Sequence, residues 1–208
     1  MLRLKTMLIP LGMMTAMITA SHAADPPPPP ALPDYTNPGF ANPDTPGLLD
    51  GKPAGNVPNT VDINFLKQLA IGSQAEVALG KLARDRGPDP IKGFGKRMVD
   101  DHSAANSKLV SLARSAHVEL PDKPDAKHEA VQRELSSLQG SAFSMRYLAS
   151  QIEDHQEAAQ LLMHEIGSGQ HGGVRQFAAQ TLPVVMQHLE HARALQEQLM
   201  KEGAPARD

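Results

Sequence analysis

The chain has no cysteine and no tryptophan, and its 208 residues include only two tyrosines and five phenylalanines. Without cysteine there can be no disulfide framework, no thiolate metal site, no cysteine nucleophile and no lipid anchor on a lipobox cysteine. So few aromatics leave Leu, Ala, Val, Ile and Met to build the core, a composition that suits helices better than β-sandwiches. Basic blocks are also missing. The formal net charge is −3, and no cluster of Lys and Arg tracks a phosphate backbone, which removes nucleic acid as a partner. After the first 20 residues no apolar run approaches the ~20 needed to span a bilayer. Phosphate-cradling glycine loops, a nucleophile elbow and HExxH are all absent, so no catalytic residue is assigned.

Proline is abundant but confined. Arg3 and Lys5, an apolar run from Met7 to Ala20, and the small-residue exit Ser21-His22-Ala23 read as a secretory signal over residues 1–23. This address predicts the periplasm or cell envelope, with no transmembrane segment once it is removed. Residues 24–60 hold Pro26 to Pro30 and six further prolines. Fixed φ and missing donors keep such a stretch out of helix and sheet, so it reads as a disordered linker. Residues 61–202 carry helical periodicity, and 203–208 form a tail.

Stop signals divide the periodic region into an all-α fold of four long helices. The first is expected from Thr60–Asp62 to Arg86, ended by Gly87-Pro88. The second is expected from an Asp89 cap to about His117, with Pro90 in its first turn. The third should run from Ser141 to Gly167–Gly169, and the fourth from Gly172-Gly173 to just before Gly203, with a kink at Pro183. The connection from Val118 to Gly140 is long and predicts a short extra helix over Asp125–Leu138. Spacing repeats pair the helices as two hairpins. Phe65, Leu69 and Glu76 match Phe143, Tyr147 and Asp154, while Ile91-Lys92-x-Phe94 matches Val174-Arg175-x-Phe177.

Each apolar stripe is broken near its middle by an acid or a histidine: Glu76, His102, the Asp154-His155 pair and His188. One inward polar group per helix is how a bundle assembles a buried site. Asp154 and His155 are ~100° apart on their helix, so both can border the core but only one can face its centre. These five residues are the candidate metal ligands, and imidazole with carboxylate suits one borderline ion such as Zn²⁺, Mn²⁺, Fe²⁺ or Cu²⁺. Met98 and Met186 add a softer Cu(I) variant. Asp101 and Asp154 each precede a histidine and can orient a histidine on a neighbouring helix. The alternative reading of the same residues is a metal-free hydrogen-bonded layer in an envelope interaction or structural protein, whose surface and linker meet an envelope partner.

The Phe65-Leu66-Lys67 start, Ala75-Glu76-Val77 with Leu79-Gly80, Arg97 to His102 followed by Ala104 to Asn106, Asp154-His155, and Thr181-Leu182-Pro183 leading to His188 resemble a bacterial family of exported ferritin-like proteins, the domain of unknown function 4142. The resemblance covers roughly residues 61–200. It implies a ferritin-like four-helix bundle with a crossover between the second and third long helices. A di-iron carboxylate site needs Glu-x-x-His on two helices. Val99 and Val185 stand three residues before His102 and His188, which argues against di-iron chemistry.

Overall fold

The computed structural model describes Gly55 and residues 57–202. The predicted signal, nearly all of the linker and the tail lie outside the described residues. Five helices follow one another: α1 (Thr60–Arg86), α2 (Asp89–Ser115), α3 (Ala126–Ser137), α4 (Gly140–Ser168) and α5 (Gly172–Glu202). Among the described residues no helix is long and apolar enough to cross a membrane.

Local chemistry sets the boundaries. Asn59 caps α1 in a capping box: its side chain accepts from the Asp62 N–H, and Asp62 accepts from the Asn59 N–H. Asp125 caps α3 by accepting from the His128 N–H. The cap of α2 is Pro88, and Asp89 is already helical. This corrects the expected Asp89 cap: extended Pro88 both ends the turn after α1 and starts α2, and Pro90 still falls in the first turn. Gly140 opens α4 at φ +57, a conformation that favours glycine. α5 continues through Pro183 as one helix.

The helices pack so that α1 neighbours α2 and α4, and α5 neighbours α4 and α2. Contacts at the ends give the directions. The start of α1 meets the end of α4, where the Asn59 side-chain amide donates to the Ser168 carbonyl. The end of α1 meets the end of α3, where Arg86 donates to the Ser136 carbonyl, and reaches the start of α4, where its guanidinium lies over the Phe143 ring. Each neighbouring pair of long helices is antiparallel, and residues 116–139 therefore travel the length of the bundle between α2 and α4. Gly80 and Gly95 let α1 and α2 approach closely: a Cβ on Gly95 would lie 2.7 Å from the Gly80 carbonyl oxygen and from the Ala83 Cβ.

The apolar core is split in two. One cluster gathers Phe65, Leu66, Ala70, Leu109, Ala159, Leu162 and Val185. The other gathers Leu79, Met98, Phe143, Tyr147, Leu148, Ala192 and Leu195. On every long helix polar side chains stand between the two clusters: Ser73 and Glu76, His102, Gln151 and His155, and His188.

Candidate metal centre

Three histidines from three helices meet in this gap. One ring nitrogen from each of His102, His155 and His188 lies within 4.8 Å of the other two, and the ring centroids are 5.4 to 5.5 Å apart. His155 and His188 are buried; His102 is half-buried, but its Nε2 is enclosed.

Hydrogen bonds on the outer nitrogens determine where the lone pairs point. His155 Nδ1 is 2.8 Å from the Gln151 carbonyl oxygen, which can only accept, so Nδ1 carries the proton and Nε2 keeps the lone pair. His188 Nε2 is 2.8 Å from Asp101 Oδ2. Asp101 stays ionised, because the His188 hydrogen bond holds its pKa below the usual carboxylate value despite partial burial. His188 Nε2 therefore donates, and in the neutral ring that a metal requires Nδ1 keeps the lone pair. The two inward ring nitrogens, His155 Nε2 and His188 Nδ1, face each other across 3.3 Å. At His102 the Ser73 hydroxyl donates to the backbone carbonyl at 3.4 Å and receives Nδ1–H at 3.2 Å. In that tautomer Nε2 is a third lone pair, and it has no hydrogen-bond partner.

With all three rings neutral, their inward lone pairs repel one another unless a positive centre lies among them. Burial, then His188, holds the His102 pKa down to about 3 against the pull of Asp101, and burial, then His102 and His188, moves that of His155 well below its ordinary value. Neutral imidazoles are the form a metal requires. A tetrahedral ion with bonds of roughly 2.0–2.1 Å sets neighbouring ligand nitrogens about 3.4 Å apart, close to the His155–His188 separation. Each ring is also held from behind by a carbonyl, a carboxylate or a hydroxyl, the usual support of metal-binding histidines.

Glu76 and Asp154 line the same cavity, of about 210 Å³, as the three histidines, but neither joins their close nitrogen cluster. His155 is the member of the Asp154-His155 pair in that cluster. Glu76 is 3% exposed and neither of its oxygens makes a hydrogen bond. Gln151 and Asp154 lie near enough to act on it, though not in hydrogen-bond geometry. Burial, then the Asp154 charge, raises its pKa well above the ordinary value. The methionine variant is corrected: Met98 packs in the second apolar cluster and Met186 is 37% exposed, so neither lines the cavity.

Ser73, Gln151, Lys127 and His128 also belong to this region and were not legible as site residues. Ser73 and Gln151 read as ordinary polar positions, and the α3 residues reach the cavity only through the crossover, which spacing alone does not place.

A family model described as a domain of unknown function (DUF4142) matches residues 50–195. The chain belongs to this family. The matched segment contains all five helices' site residues and runs from the end of the linker into α5. No curated protein and no solved structure matches the chain.

Proposed function

We propose that this DUF4142 protein is an exported, ferritin-like helical bundle of the periplasm or cell envelope, carrying one borderline divalent ion on His102, His155 and His188. The observation that carries the reading is the convergence of three ring nitrogens, His155 Nε2 and His188 Nδ1 opposed at 3.3 Å and the unpartnered His102 Nε2 beside them. The antiparallel neighbours and the crossover between α2 and α4 support the ferritin-like arrangement. The signal-like residues 1–23 support export. Three neutral nitrogen ligands leave a fourth position facing the cavity, the layout of sites that bind a small molecule or water at the metal. The di-iron pattern is not recovered, because Val99 and Val185 occupy the positions its carboxylates require.

The test is metal content of the mature protein, purified without an affinity tag, beside a His102→Ala/His188→Ala double variant. One equivalent in the first and none in the second is expected. No bound ion after incubation with Zn²⁺, Mn²⁺, Fe²⁺ and copper would overturn the reading in favour of a metal-free polar layer.

A further inference from the structure

The histidines leave half of the polar layer unexplained. Among the described residues, Glu76, Tyr147, Gln151 and Asp154 supply six buried side-chain N and O atoms with no hydrogen-bond partner. Native proteins leave very few such atoms, and a cluster of them is ordinarily filled by water or an ion. Tyr147, Gln151 and Asp154 stand four and three residues apart on α4 and so share a face. Glu76 on α1 lines the same cavity as Asp154, near enough for Gln151 and Asp154 to act on it. Glu76 and Gln151 are 3% and 0% exposed.

The unpartnered donors here are two carboxyl groups and an amide oxygen, beside a phenol, while the His128 imidazole stands 3.9 Å from the other oxygen of Asp154. Oxygen sets of this kind select hard cations. The cavity gives access, because its lining continues from Glu76 and Asp154 to Lys127 and Glu157 at the surface. At that mouth the Lys127 ammonium lies 2.8 Å from Glu157, 3.2 Å from Glu153 and 3.7 Å from Asp154. A lysine cation thus sits where an incoming ion would first meet the protein.

We propose that Glu76 and Asp154, which line this cavity, form with Gln151 behind them a second cation position, taking a hard divalent ion such as Mn²⁺, Mg²⁺ or Ca²⁺, with Lys127 as the competing cation at its mouth. The position stands independently of any ion on the histidines.

Terbium(III) tests it, because Tb³⁺ takes oxygen donors and its emission is sensitised by a nearby tyrosine. The full mature chain in a Tyr35→Phe background leaves Tyr147 as the sensitiser. Tyrosine-sensitised emission saturating near one equivalent is expected in this protein and also after His102→Ala/His188→Ala. Glu76→Gln and Asp154→Asn should each weaken binding by about tenfold or more, since ligand charge sets affinity at such sites. Lys127→Gln, a surface change that keeps every donor, should tighten it severalfold. Absent emission, emission lost with the histidines, or affinity unchanged in the carboxylate variants would overturn the proposal. Should a carboxylate variant fail to fold by far-UV circular dichroism, unchanged or weaker Tb³⁺ affinity in Lys127→Gln would overturn it.

Discussion

At the scale of single residues, the centre depends as much on the atoms behind the histidines as on the histidines. Asp101 accepts the His188 Nε2 proton at 2.8 Å and is itself held by Arg97 at 3.4 Å. Without Asp101, His188 can exchange tautomers and rotate its lone pair away from the centre. Asp101→Ala should therefore keep one metal equivalent but weaken affinity by about 10–100-fold, the range typical of removing such a partner. Zinc competition titration against a chelator reads the difference, and unchanged affinity would remove Asp101 from the account. The role of Asp101 was partly legible: an acid directly before a histidine cannot easily orient that ring, but it can serve a neighbouring helix. Ser73 carried no comparable signal, because one serine on a helix is indistinguishable from any other until its neighbour is known.

At the scale of elements, helix existence and phase were readable because Gly-Pro and Gly-rich stops punctuate strong apolar periodicity. The stripes also located the break in each helix correctly between two apolar clusters. What periodicity could not give was the partner arrangement. Each polar break lies near a helix middle, so parallel and antiparallel packings bring the breaks to the same level. End contacts such as Asn59 to Ser168 and Arg86 to Ser136 decide the directions. α3 is the element least determined by sequence. Leu135 is its one buried residue, and its N-terminal half is held by the polar contacts of Lys127 and His128 to α4. A short segment with so little apolar surface could be predicted as helix, but its seat over the cavity could not.

At the scale of the whole molecule, a second buried polar cluster ties the end of the bundle together. Asp62 accepts backbone N–H bonds from Asn59, Gln170 and His171. Glu165 beside it is fully buried, and burial, then its contact with Asp62, raises its pKa to about 8, with Arg175 opposing. A raised carboxyl pKa means that the folded state holds a proton the unfolded state releases from about pH 4.5 upward. Its stabilising contribution is therefore complete below that value and is lost as pH rises to about 8. Depressed histidines act oppositely: the contribution of His102 is present above about 6.5 and lost as pH falls toward about 3. Well above pH 6.5 the displaced histidines are neutral in both states, and the raised Glu165 carboxyl, which titrates near 8 in the folded protein, changes the balance. The metal-free protein should accordingly lose thermal stability across pH 6.5 to 8, and Glu165→Gln should flatten part of that slope. A melting temperature that rises over this window would contradict the assignment of this buried acid.

The central claim is that three neutral imidazoles converge on one ion. X-ray absorption at the zinc edge of the zinc-loaded protein tests it most directly. The account predicts three imidazole ligands at roughly 2.0–2.1 Å, reduced in the His102→Ala/His188→Ala variant. A spectrum of oxygen ligands without imidazole scattering, or one unchanged by the double substitution, would contradict it.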